Sequence, residues 1–561
     1  MSLSLSVVRV VRALAIAVLT LLSGAGCSNS ESQFLSFPDA QVSNPGTNTG
    51  DATLTLFGGG GYSGPTTCDQ AAMTRSYIGC DYWPTVTTNP VWSIFDFTVV
   101  VANAQSVAAS VTVTGPYNTN QMLEVAPGAL AKVYLPWVPA LKGPDCDECG
   151  SVPIISESIT ALASAYHVVS SVPVTVYQFN ALEYKGAGGP TGKDWSQCPG
   201  TTKLCTELED AGVPAFYSGC YSYTNDASLL IPSTAMTGNY RVAGQHAQEM
   251  IEGSYFAITA ISDSTTVTVT LSATGSVVGG GTVQATPAGG VLNLVMNSGD
   301  VIEVMSDMLS SSSDLSGSLV HASQPVQVIA GVQCSEEPAG YAACDHLESS
   351  MLPAETLGSD YVVSPPTSPG GAVVGHVVRF YGNVDGTTLT YSPAQPAGCP
   401  SALDAGQVAT CGSVVNASFE VTGNHEFAVM SFQLGGDLLN MLTGSNSPDG
   451  DPSMSPMVAT EEYLQSYIFL APTDYDSSYM DVVGPPGAQL RLDNELVTTT
   501  STPINGSWSI TRVPLVKGGG GTHVLSATAA VGVQVMGYGA YTSYQYPAGL
   551  DLTEISAPPL K

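Results

Sequence analysis

Residues 228–242 read SLLIPSTAMTGNYRV, and residues 350–363 read SMLPAETLGSDYVV. Each has an apolar lead-in, a proline and, eight positions later, a tyrosine that heads a strand-like segment: Pro232 with Tyr240, and Pro353 with Tyr361. A looser copy at residues 453–470, SMSPMVATEEYLQSYIFL, sets Pro456 and Tyr467 further apart. A second element closes the units, as SVPVTV at 171–176 and SQPVQV at 323–328, with degenerate forms at 427–430 (FAVM) and 532–535 (GVQV). Self-similarity in a fixed order marks a tandem architecture. Units of roughly 90–125 residues have the size of a small β-sandwich, whereas a propeller blade takes about 40–50. The expected fold is therefore all-β, with tandem sandwich-like units of antiparallel sheets, and a β-propeller-like arrangement as the alternative. The units are placed at residues 61–225, 226–349, 350–452 and 453–561.

Composition agrees with strands. Residues 264–271 (STTVTVTL), 173–179 (PVTVYQF) and 377–381 (VVRFY) combine β-branched and aromatic residues with partial alternation. Only 11% of residues are charged, and the chain holds 59 glycines and 37 prolines. That balance disfavours solvent-facing helices, which draw on Glu and Lys, and favours strands joined by tight turns. The formal net charge of −32 repels nucleic acid and anionic headgroups, so neither is expected as a partner.

The first 26 residues carry Arg9 and Arg12, the apolar run ALAIAVLTLL at 13–22, and then SGAG leading into Cys27. This is the charged, apolar and small-residue order of an export signal, with an apolar run too short to span a bilayer. It resembles a bacterial lipoprotein signal, although Gly24 stands where most such boxes carry Leu. Cys27 is thus the expected lipidation site, and the polar, turn-rich residues 27–60 are the expected tether. Ser28 after the cysteine, rather than Asp, points to the outer membrane.

The chain has 12 cysteines. Beyond Cys27, local spacings suggest disulfides Cys68–Cys80, Cys146–Cys149, Cys198–Cys205, Cys334–Cys344 and Cys399–Cys411, leaving Cys220 over by elimination. A zinc site would need two such pairs brought together, and Cys146/Cys149 is a single CxxC.

Across these elements the chain resembles the N-terminal domain of the IgGFc-binding protein family. The resemblance is carried by YQFN at 177–180, DASLLIP at 226–232, SQPV at 323–326, CDHLE at 344–348, MLP at 351–353, GSDYVV at 358–363 and GDPSM at 450–454. It extends from about Pro90 to Gly549. It implies an extracellular all-β scaffold without catalysis. It transfers no ligand-contacting residue.

Four constellations invite chemistry. Asp345, His346 and Glu348, beside Cys344, could offer a metal site or an oriented general base; a clipped structural turn is the competing reading. His246 and Glu249 have helical i, i+3 spacing, but Gly244 and Gly253 bracket a segment too short for a stable helix. Asp449 and Asp451 form an acidic, Gly-containing turn that suits calcium but lacks the other spaced carboxylates of an EF-hand. Residues 186–193 (GAGGPTGK) suggest a phosphate loop, yet position 187 is Ala and Asp194 stands where Ser or Thr would hold magnesium. The tyrosines of 538–549 (YGAYTSYQYPAG) suit cross-strand core packing better than an interface.

The expectation is a non-catalytic binding, adhesion or structural module. It is lipid-anchored in a bacterial cell envelope and meets a protein or glycan at the cell surface, with no cofactor beyond possible calcium. The alternative is an anchored or secreted hydrolase, metal-dependent, around Asp345, His346 and Glu348.

Overall fold

Alternation of valine and threonine decides which face of a strand is buried. In the strand Thr265–Thr270, Val267 and Val269 point into the core and Thr266 and Thr270 into solvent. Runs such as Phe97–Ala102, apolar apart from Thr98, instead become strands covered on both faces. The computed structural model describes residues 64–559 apart from 147–154, 156, 200–218, 247–252, 308–312, 342–343, 445–448 and 516–520. The export signal, Cys27 and the tether lie outside the described residues.

Among the described residues the paired strands are antiparallel, in six sheets. In the first unit the strand His167–Asn180 serves two layers. Its first half pairs with Gly79–Tyr82 and Ala109–Gly115, and its second half with Phe97–Ala102 and Ala227–Leu229. The second unit is a sandwich. A five-stranded sheet built on Val326–Ser335 and Ser254–Ala260 faces a four-stranded sheet built on Thr265–Thr270, and Phe256, Ile258, Val304 and Val328 meet Val267, Val269, Leu292 and Leu294 between them. The third unit stacks the sheet of Phe419–Gly423 on that of Val377–Gly382 and Phe427–Phe432, with Phe380, Phe427 and Phe419 in the core. In the fourth, the strand Thr522–Gly539 again spans two layers, pairing with Leu464–Leu470 and Leu490–Leu492 first and Ser477–Gly484 and Thr542–Pro547 later. Each unit is a pair of stacked layers, the sandwich of the sequence reading.

The two recurrent sequence elements meet through one hydrogen-bond pattern. Tyr240 donates its phenol to the carbonyl of Val326 at 2.7 Å and accepts the amide of Thr237 at 3.2 Å. Tyr361 does the same with Phe427 at 2.6 Å and Gly358 at 3.2 Å. Tyr467 joins Val531 and accepts Leu464 N–H at 2.9 Å. Tyr82, which no sequence repeat singled out, joins Val174 and Gly79, each at 2.7 Å. The phenol thus pins the lead-in to the closing element, at the first strand residue for Val326 and Phe427 and at mid-strand for Val174 and Val531, as a tyrosine corner does in other sandwiches.

The structure also realigns the third lead-in. Extended residues Pro232, Pro353 and Ala459 each precede a short 3-10 turn, Ser233–Ala235, Ala354–Thr356 and Thr460–Glu462. Ala459 rather than Pro456 is the counterpart of the two prolines, and it stands eight residues before Tyr467. Alanine at φ −63°, ψ 147° does what proline enforces elsewhere.

Neighbouring units share strands and contacts in a closed circuit. Ile159–Ala161 adds to the second unit's sheet beside Val301–Met305, Ala227–Leu229 adds to the first unit's, and Met454–Pro456 adds to the third unit's beside Phe427–Phe432. Arg379 crosses from the third unit to Asp314 of the second at 2.5 Å. Trp508 and Asn505 of the fourth reach Glu420 of the third, both at 2.7 Å. Tyr177 packs on Tyr546 at 4.8 Å between centroids, joining the fourth unit to the first. The described residues form one compact body.

Candidate functional site

Several of the residues that carry the family resemblance, among them Gln178, Asn180, Asp226, His346 and Glu348, converge at one junction. Residues 83–90, WPTVTTNP, run through the interior without joining a strand, and Thr85, Thr87, Thr88 and Asn89 are inaccessible to solvent. A buried backbone outside a sheet needs other hydrogen-bond partners, and side chains of the flanking strands supply them. Gln178 accepts Thr85 N–H and donates to Thr85 C=O, both at 3.0 Å. Glu303 accepts Thr88 N–H at 2.9 Å, and Gln327 donates to Trp83 C=O at 2.7 Å.

Glu348 lies at the centre. Its carboxylate accepts from Thr87 Oγ1 at 3.0 Å, Ser228 Oγ at 3.1 Å, Gln178 Nε2 at 3.2 Å and Asn180 Nδ2 at 3.3 Å. His346 Nε2 is 3.2 Å from Asn180 Nδ2 and 3.8 Å from Glu348 Oε2. Asp226 accepts three backbone amides: Ala227 at 2.8 Å, and Glu348 and Met454 at 3.1 Å each. Asp345 accepts His346 N–H at 2.8 Å and Thr542 Oγ1 at 3.1 Å. Short strands from three places in the chain, Ala227–Leu229, Asp345–Ser350 and Met454–Pro456, are therefore tied to Thr542–Pro547 by carboxyl groups.

The electrostatics follow from burial. Desolvation pushes the Asp226 and Asp345 carboxyls well above the usual range, and the nearby Asp451 and Asp226 push Asp345 further. Burial raises Glu303 to about 8.

Asp345, His346 and Glu348 are all 0% exposed. They are closed to substrate, which speaks against a hydrolase site at these three residues: the nearest side chains are the hydrogen-bond partners of a structural junction. Among the described residues no group of three or more His, Cys, Asp and Glu side chains is arranged to hold a metal. For the calcium candidates, Asp451 is buried, accepts Gly436 N–H at 3.2 Å and has its carboxyl raised to about 8 by burial. Asp449 pairs through its backbone with Ala540. His246 Nδ1 meets Gln245 Oε1 at 2.6 Å, and Glu249 lies outside the described residues. In the glycine-rich loop, Lys193 pairs with Asp96. Tyr538, Tyr544 and Tyr546 are buried in the core.

Disulfides join Cys68–Cys80, Cys334–Cys344 and Cys399–Cys411. The third of the expected near pairs is different: Cys198 bonds Cys220, not Cys205. Nearest spacing misled there because Gly186 N–H bonds the Cys220 carbonyl at 2.8 Å, which folds the two ends of the long loop together. Cys149 and Cys205 lie outside the described residues.

Sequence reading did not find residues 83–90, Glu303 or Tyr82. The available signal was a run of small polar residues between Pro84 and Pro90, which reads equally well as an exposed loop.

The sequence profile described as IgGFc binding protein matches residues 226–537, more than half of the chain. The human IgGFc-binding protein is 34% identical over 172 residues, which are 30% of this chain and 3% of that much longer protein. Two solved structures have low likeness: an anti-sigma factor domain-containing protein from Clostridium clariflavum (11% identity, TM-score 0.11, 55% of this chain and 81% of that one), and a tetra-tandem repeat from the extending region of a large adhesion protein (10% identity, TM-score 0.08, 84% of this chain and 99% of that one). At those TM-scores neither bears on the fold. The profile match, spanning the second, third and fourth units, places the chain in the IgGFc-binding protein family.

Proposed function

We propose that this protein is a non-catalytic binding or adhesion module, held at a bacterial cell envelope by a lipid on Cys27 and presenting its sandwich units to a protein or glycan. One observation carries the non-catalytic part. The polar side chains of the motifs that carry the family resemblance, Gln178, Asn180, Asp226, Asp345, His346 and Glu348, face one another in a sealed junction, so they build the scaffold and leave recognition to the outer surface. A structural network of this kind is fully committed to its own partners. The immunoglobulin ligand in the human relative's name is not carried over, since the match covers so little of that protein. The outer-membrane address rests on Ser28.

Membrane fractionation of the full chain tests the anchor. Cys27→Ala is expected to move the protein from membrane to soluble fractions, and an unchanged distribution would remove lipidation. The binding reading is tested by presenting the detergent-extracted full chain to arrays of extracellular proteins and glycans. Saturable binding that survives His346→Ala is expected; hydrolysis of an arrayed molecule that His346→Ala abolishes would reverse the assignment.

A further inference from the structure

The loop 186–193 covers a second polar cluster, separate from the central junction. Lys193 Nζ lies 2.5 Å from Asp96 Oδ2, with the two side chains 12% and 20% exposed. Glu183 is 1% exposed. Its Oε2 accepts the Asp96 amide at 3.1 Å, and its Oε1 is buried without a hydrogen-bond partner among the described residues. The three groups converge beneath Gly189. A Cβ built there would stand 3.1 Å from Glu183 Oε1, 3.1 Å from Lys193 Cδ and 3.4 Å from Asp96 Oδ2. Gly189 has φ +80° and no side chain, so the loop can close over the cluster. The Trp195 ring lies 4.9 Å from Lys193 Nζ and packs on Phe95 at 5.2 Å, which gives the site an aromatic wall.

A one-to-one ion pair does not explain this arrangement. Lys193 matches one carboxylate, and a second ionised carboxylate in the same dry site would be unfavourable. Burial, and then the charge of Asp96, push Glu183 up to about 7; burial also raises Asp96. A primary amine against a carboxyl group, with a second carboxyl able to hold a proton beside both, is the set that amide formation requires.

We propose that Lys193 and Asp96 become joined by an intramolecular amide bond, formed by the protein itself with Glu183 relaying protons. The ion pair first exchanges a proton, leaving a neutral amine and a carboxylic acid. Lys193 Nζ attacks Asp96 Cγ and forms the C–N bond. Glu183 takes a proton from that nitrogen and delivers one to the departing hydroxyl, so the C–O bond breaks and one water leaves. Ammonium and carboxylate have become amide and water, Glu183 is restored, and no oxidant or external activator is consumed. The bond would fasten the loop to the start of Phe97–Ala102 by a link that reductants cannot open.

Tryptic digestion of the reduced, folded full chain tests the proposal by mass spectrometry. The expected product is a branched peptide joining the Asp96 and Lys193 segments, one water lighter than their sum, with no cleavage after Lys193. Lys193→Arg, which retains the ion pair, is expected to give linear peptides only. Asp96→Asn is expected to keep the branch with loss of ammonia instead. Glu183→Gln is expected to lose the branch while the protein keeps its wild-type circular dichroism and antibody reactivity. Linear peptides and cleavage at Lys193 in the wild type would reduce the pair to a salt bridge and overturn the proposal. A branch of full yield in Glu183→Gln would overturn the role given to Glu183.

Discussion

The phenol of Tyr240 donates to the backbone carbonyl of Val326 across 86 residues of chain. Around that bond the second unit folds: its lead-in precedes Tyr240, its closing strand begins at Val326, and strands of both its sheets lie between. Tyr82, Tyr361 and Tyr467 repeat the bond in the other three units. A device present four times with the same two partners is a property of the repeat and independent of any one local environment.

Tyr240→Phe removes the donor to Val326 and the acceptor of Thr237 N–H while leaving the ring. Burying those two groups unpaired is expected to destabilise the protein by ~1–3 kcal/mol. Tyr361→Phe is expected to fall in the same range, because the geometry is the same. Urea unfolding measures both, and a loss below about 0.5 kcal/mol, the level of an ordinary surface change, would deny the bond its structural role.

Glu348→Ala strips the acceptor from Thr87, Gln178, Asn180 and Ser228 together. Breaking a buried network by deleting its centre is expected to cost about 3–5 kcal/mol, with precipitation or protease sensitivity at growth temperature. His346→Ala, which removes a ring with one weak polar partner, is expected to be milder. Limited proteolysis ranks the two; a reversed order would place the centre of the junction at His346.

Stability is expected to fall as pH rises from acid to mildly alkaline. Burial lifts Glu337 to about 7 and Glu303 and Asp451 to about 8. The folded protein keeps protons there that the unfolded chain releases near pH 4 to 4.5. Their stabilising effect is therefore complete below about pH 4 and is lost progressively up to about pH 8, at roughly 1 kcal/mol per pH unit for each group. Melting temperatures at pH 5 and pH 8 check the sign, and Glu303→Gln is expected to flatten the profile. A melting temperature higher at pH 8 than at pH 5 would contradict it.

The Cys198–Cys220 bond predicts that Cys205→Ala leaves that linkage unchanged in a non-reducing peptide map. Cys220→Ala is expected to release Cys198 for alkylation. Recovery of a Cys198–Cys205 peptide from the native chain would restore the nearest-neighbour pairing.

Much of this protein was written in the sequence. The Pro-to-Tyr spacing marked the units, β-branched alternation marked strands such as Thr265–Thr270, and the ordered short motifs marked the family. Those are local signals, set by side-chain period and backbone preference. What the chain could not disclose locally is which polar residues go inside. Asp345, His346 and Glu348 look like a catalytic set on paper because burial is not a property of three residues; it arises when strands from distant parts of the chain close over them and bring Asp226, Gln178 and Asn180 within hydrogen-bond distance. The same holds for Ala459, whose equivalence to Pro232 and Pro353 rests on a backbone conformation, and for Lys193, Asp96 and Glu183, which only the folded loop gathers beneath Gly189. Sequence periodicity determined the repeats; tertiary packing alone decided which polar groups became structure.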